Sequence, residues 1–97
     1  MTEIIFTWDD TKAVLNKRKH GVSFEEARSI FYDEYALEFH DPDHSGAEDR
    51  FLMVGLSLSL RTLIVCYCVR EEGSVIRIIS ARKTTKQEAD CYWRERK

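Results

Sequence analysis

The sequence predicts a single α+β domain over residues 1–97, an antiparallel sheet with two N-terminal helices and one C-terminal helix in the order β-α-α-β-β-β-β-α. Three observations predict it. The chain opens on a short β-branched and aromatic run. Two helical segments with capping residues follow it. The second half then holds three apolar runs joined by short turns, with one more capped helical segment behind them.

Ile4–Trp8 (IIFTW) is the first strand. Asp9 and Asp10 supply an N-cap, and the first helix runs to His20, where Gly21 offers the left-handed residue that ends helices. Its last turn, Lys17-Arg18-Lys19-His20, suits the negative end of the helix dipole, which accounts for this basic cluster without any function. Ser23 and Glu26 read as a capping box, Val22 and Ala27 as its hydrophobic staple. Phe24, Ala27, Ile30 and Phe31 share one face of a second helix ending near Asp33. A strand over Ala36–His40 leads into a turn-rich stretch, Asp41–Gly46. Arg50–Leu56 and Leu60–Arg70 are strands joined near Ser57–Ser59. Glu71–Ser74 is a hairpin turn and Val75–Ala81 the last strand, so these three form an antiparallel meander. Thr84–Glu88 (TTKQE) then starts a final helix with a capping pattern, and Ala89, Tyr92, Trp93 and Arg96 line one side of it.

Composition bounds the function. A chain of 97 residues has room for one core. It holds four glycines and one proline, which argues against a long disordered segment. The apolar stretch Leu63–Val69 is far too short for a membrane-spanning helix, and the N-terminus lacks the basic and apolar regions of a signal peptide, so a cytoplasmic location is expected. Three cysteines, Cys66, Cys68 and Cys91, are no disulfide framework; Cys66 and Cys68 read as small core residues on one face of a strand, with a metal site shared with His40 and His44 as the alternative. Net charge is −2, unevenly spread. Residues 1–49 hold five basic and twelve acidic side chains, residues 50–97 ten basic and five acidic. A basic second half suits a phosphate-bearing partner, bound at a local patch.

The unusual residues are the arginines in or beside apolar strands: Arg61, Arg70, Arg77 and Arg82. Arg77 is the only charge in Val75–Ile79 (VIRII), and a buried guanidinium needs a carboxylate, a solvated cleft or an anionic ligand. A surface or ion-paired arginine is the plain reading, a phosphate contact the functional one. Strict alternation puts Arg77 and Arg82 on opposite faces, so a bulge must intervene if both line one site. Arg61 and Tyr67 share a face. RNA cleavage without a metal needs the 2′-hydroxyl deprotonated, the phosphorane's charge neutralised and the leaving oxygen protonated. Arginines serve the second need, and a histidine, carboxylate or tyrosine the others. His20, His44, Glu48, Tyr67 and Glu71 are the candidates, with His20 best placed at the end of its basic turn. No glycine-rich phosphate loop, paired-cysteine motif or nucleophile elbow is present.

Four segments carry a resemblance: Phe6–Asp9 (FTWD), Lys17–Ala27 (KRKHGVSFEEA), Asp43–Arg50 (DHSGAEDR) and Ile76–Lys83 (IRIISARK). In content, order and spacing they resemble the BrnT family of ribonuclease toxins from type II toxin–antitoxin systems. The resemblance implies a RelE-like fold and a metal-independent endoribonuclease that arrests translation and growth, with no cofactor. It implies a BrnA-like antitoxin, present as a dimer in a hetero-oligomer, that neutralises the toxin; RNA as substrate; and DNA contacted only indirectly, through the antitoxin. By motif it implies catalytic positions at His20, Arg50, Arg61, Arg77 and Arg82. The sequence departs from the family in two places. Leu60 stands where a glycine is common before the arginine, and Glu88–Tyr92 is less basic than in many relatives. Two other functions compete with this one. One is a non-catalytic toxin-like module acting in a transcriptional autoregulatory complex. The other is a metal-dependent hydrolase using His40, Asp41, Asp43 and His44.

Overall fold

The computed structural model describes residues 3–41 and 48–96. Its elements are β1 (Ile5–Thr7), α1 (Asp10–His20), α2 (Phe24–Ser29) with a 3-10 turn over Ile30–Tyr32, β2 (Leu37–Asp41), β3 (Arg50–Leu56), β4 (Thr62–Arg70), β5 (Val75–Lys83) and α3 (Lys86–Glu95). The five strands form one sheet in the order β1-β5-β4-β3-β2. From β2 to β5 every pairing is antiparallel, and β1 joins β5 in parallel. The expected α+β architecture and element order are therefore observed, with β1 making the sheet mixed. Its partner β5 is the last strand in the chain, so the pairing brings together the two ends of the strand sequence.

Local chemistry explains the boundaries. Asp9 accepts the Lys12 backbone N–H at 3.0 Å, and Gly21, at φ +71°, closes α1 by donating to the Lys17 carbonyl at 2.9 Å. Ser23 caps α2 through the Glu26 N–H. The Glu26 side chain does not reach back to complete the box, because it is drawn to Ser57 and Arg61. Thr85 and Glu88 do form a reciprocal capping box on α3. The β3–β4 turn holds Leu60 at φ +61°, the left-handed conformation a glycine adopts without steric cost.

One face of the sheet carries the core. Leu63, Val65 and Tyr67 of β4 and Ile76, Ile78 and Ala81 of β5 pack with Val22, Phe24, Ala27 and Ile30. Gly55 of β3 permits the close approach of the 3-10 turn, since a Cβ there would stand 3.1 Å from Ile30 Cβ. Helix α1 has no apolar stripe to lay on this core; Val14 and Leu15 are more than half exposed. It packs instead along β5 beyond the end of β1, where β5 has lost its neighbour. There the buried Asn16 side chain takes the place of a strand: its amide donates to the Ala81 carbonyl at 2.8 Å and accepts from the Ala81 N–H at 3.1 Å. A third bond, to the Val22 carbonyl, completes it. Helix α3 borders the opposite face, at the end nearest Leu37, Val54 and Ile64, so the helices are not all on one side.

Candidate functional site

The face of the sheet away from the core is set by register. Between Cys66 and Tyr67 the β4–β5 pairing slips by one: Cys66 opposes Ser80 and Tyr67 opposes Ile78, leaving Ile79 as an extra residue in β5. This bulge cancels the alternation that would have separated Arg77 from Arg82. Both now face away from the core, Arg77 paired with Cys68 and Arg82 with Ile64.

Three cross-strand rows make up this open face. The row nearest α3 is Arg82, Ile64, Val54 and Leu37; the middle row is Ser80, Cys66, Leu52 and Phe39. The third is Arg77, Cys68, Arg50 and Asp41, with Thr7 of β1 beyond Arg77. Arg77 and Arg50 thus flank the fully buried Cys68, about 10 Å apart at the backbone. Arg77 is half-buried and has no ion pair or hydrogen-bonding partner among the described residues. Of the three settings that a guanidinium in an apolar strand needs, a carboxylate partner is thus not found among the described residues.

His20 reaches the same face around the edge of β5. With Arg82, Ser80, Cys66, Ile64 and Leu52 it lines a pocket of about 310 Å³. A second hollow beside it is lined by Lys12, Lys19, His20, Ile79 and Ser80, so the basic side of α1 continues the open face past the sheet edge. Burial pushes the Cys66 thiol up, against the pull of the nearby Arg50 charge, so Cys66 is a neutral lining residue. Arg82 is not free: its guanidinium makes a bidentate pair with Glu88 of α3 at 2.8 and 2.9 Å. That pairing holds the Glu88 carboxyl down at about 2.

Of the five positions expected from sequence, four share this face: His20, Arg50, Arg77 and Arg82. Arg61 is not brought to it. It stands on the core side of the sheet, pinned by the Glu26 carboxylate through Nε at 2.9 Å and through Nη2, which also donates to the Gly21 carbonyl at 3.1 Å. The remaining candidates are placed elsewhere. Tyr67 is 1 % exposed, and its hydroxyl donates to Glu38. Burial, reinforced by that carboxylate, pushes its phenol well above the ordinary range, which leaves it no proton to exchange near neutrality. Glu48 pairs with Arg70 on the surface. Glu71 belongs to the β4–β5 turn. His44 and Asp43 lie outside the described residues, and among the described residues no three histidine, cysteine or carboxylate groups are gathered as metal ligands. Sequence reading missed Asn16 and Phe39. One more polar residue in a helix without an apolar stripe carries no signal, and Phe39 looks like any apolar strand residue until the register shows which face it takes.

Comparison with known proteins bears on this face. Residues 8–88 match the family described as the ribonuclease toxin BrnT of type II toxin–antitoxin systems. No curated protein sequence matches the chain. Among solved structures, the 1.1 Å crystal structure of the Brucella abortus ribonuclease toxin BrnT superposes with a TM-score of 0.64 at 22 % identity. The match covers 89 % of this chain and all of that one. At that identity the likeness shows a shared fold.

Proposed function

Since this chain belongs to the BrnT family of type II ribonuclease toxins, we propose that it is a metal-independent endoribonuclease whose substrate phosphate lies on the open face of the sheet. The observation that carries this reading is Arg77: a half-buried guanidinium in an apolar strand, with no carboxylate answering it among the described residues. A phosphodiester there would meet Arg77, with Arg50 in the same row. As the 2′-hydroxyl attacks phosphorus, charge grows on the non-bridging oxygens. Guanidinium groups already in place stabilise that charge without reorganising. His20, beside Arg82 at the edge of the same face, is the side chain suited to moving the proton. Arg61 takes no part and acts as a structural clamp between α2 and the β3–β4 turn.

The toxin would be silenced by a BrnA-like antitoxin dimer in a hetero-oligomer that covers this face, and DNA would be contacted through the antitoxin alone. RNA cleavage would arrest translation. The test is incubation of the purified, partner-free protein with single-stranded RNA, with and without a chelator. Cleavage indifferent to the chelator, giving 2′,3′-cyclic phosphate and 5′-hydroxyl ends, is expected. Loss of cleavage on chelation would point to a metal-dependent hydrolase. RNA left intact at every protein concentration would mean a non-catalytic module in an autoregulatory complex, a reading favoured by the neutralisation of Arg82 by Glu88.

A further inference from the structure

The middle row of the open face is the odd one out. Between two rows that carry arginines it holds Ser80, Cys66, Leu52 and Phe39, and it ends at the outer edge of the sheet. Phe39 is 48 % exposed there, on a strand whose neighbours Glu38 and His40 turn to the other face. An exposed aromatic on an edge strand invites unwanted pairing and is normally avoided. Arg50 is its diagonal neighbour across β2 and β3, about 7–8 Å away at the backbone, with Asp41 directly opposite that arginine. At the other end of the row, roughly 14 Å distant by strand spacing, Ser80 meets Lys12, Lys19 and His20 of α1.

From this layout we infer that Phe39 is a base-stacking platform and that the middle row is a subsite for unpaired nucleotides, the strand running across the sheet from the α1 edge to β2. The inference rests on the open face being the RNA face and adds which part of the substrate is held where. A largely apolar strip, with Arg50 and Arg77 in the row on one side and Lys12, Lys19 and His20 at its β5 end, fits a chain that alternates π-faces with phosphates. A duplex keeps its bases inside and would offer the aromatic ring nothing to stack on, so the substrate class is single-stranded RNA. Stacking on a single ring tolerates any base, so Phe39 contributes affinity and position rather than a sequence code.

The experiment measures binding of a labelled 2′-O-methyl RNA octamer, which lacks the attacking hydroxyl and so separates binding from cleavage. Its comparator is an octamer of the same charge with abasic positions. Phe39→Ala is expected to weaken binding of the base-bearing octamer by roughly tenfold and to leave abasic binding unchanged. Phe39→Trp restores the loss. Thermal unfolding verifies that both variants are folded. Equal affinity of Phe39→Ala and the parent for the base-bearing octamer overturns the inference, as does an equal loss against the abasic one. Loss of antitoxin capture alone, with RNA binding intact, also overturns it, because the edge would then be a protein-docking surface. Binding that depends on Phe39 in a protein that never cleaves RNA would keep this inference while ending the nuclease reading.

Discussion

Asn16 shows how one side chain can fix where a helix meets a sheet edge. It is buried, and its amide bonds to both backbone groups of Ala81 as a neighbouring strand would. That docks α1 on the edge of β5 and so carries His20 around to the open face. Nothing in the order of residues announces this, because a polar residue in a polar helix looks solvated until an unpaired strand edge is found beside it. Replacing Asn16 with alanine leaves the Ala81 N–H and carbonyl and the Val22 carbonyl without partners, at a cost of about 1–3 kcal/mol for each group that stays dry. Asn16→Ala should therefore lose about 3 kcal/mol in chemical denaturation. A loss within a few tenths would mean that water replaces the amide and that α1 is held by other contacts. Leu60 departs from the local ideal in the other direction: at φ +61° and largely exposed, it occupies a turn position that suits glycine.

At the scale of elements, the strands and helices were legible because their signals are local. Arg50–Leu56 has the predicted bounds, β1, β2, β4 and β5 differ by one or two residues at their ends, and Asp9, Gly21, Ser23 and Thr85 cap as their chemistry requires. The β5 bulge was legible only as a condition, since alternation alone would have separated Arg77 from Arg82. What stayed hidden depends on distant partners: the parallel seat of β1, the position of α3 against the open face, and the diversion of Glu26 from its cap to Arg61. The same long-range ties give the fold an acid sensitivity. Arg82 holds the Glu88 carboxyl at about 2, against an ordinary value of 4.5, and Arg61 lowers that of Glu26. Burial pushes the Asp33 carboxyl up, but hydrogen bonds from Tyr92, Leu56 and Tyr35 outweigh it and leave it lowered. Each of these groups binds protons less readily folded than unfolded. Their stabilisation is complete above the ordinary carboxylate range and is lost as pH falls from about 4.5 towards 2. Thermal unfolding should be nearly constant from about pH 7 to about pH 5 and fall steeply below, with a shallower fall for Glu88→Gln. Identical acid profiles for the parent and Glu88→Gln would show that this pair adds no stability.

Taken whole, the molecule is slightly acidic, with a net charge of −2, yet one face of its sheet collects cations. The fold resolves the contradiction by sorting. Acidic groups serve as caps and clamps, as Asp9, Glu26 and Glu88 do, whereas Arg77 is left without such a partner among the described residues. An arginine in or beside an apolar strand is therefore not by itself a guide to the site, and a guanidinium's partner is the better one: Arg61 and Arg77 both belong to that group in sequence and differ entirely in place. A comparison of these two tests the account most directly. Affinity for the 2′-O-methyl octamer is measured as a function of salt for the parent, Arg77→Ala and Arg61→Ala, each at a temperature where it is folded. Loss of one phosphate contact to a single strand lowers the slope of log K against log salt by about 0.7. The account predicts that reduction, with weaker binding, for Arg77→Ala and an unchanged slope for Arg61→Ala. An unchanged slope and affinity for Arg77→Ala would contradict it.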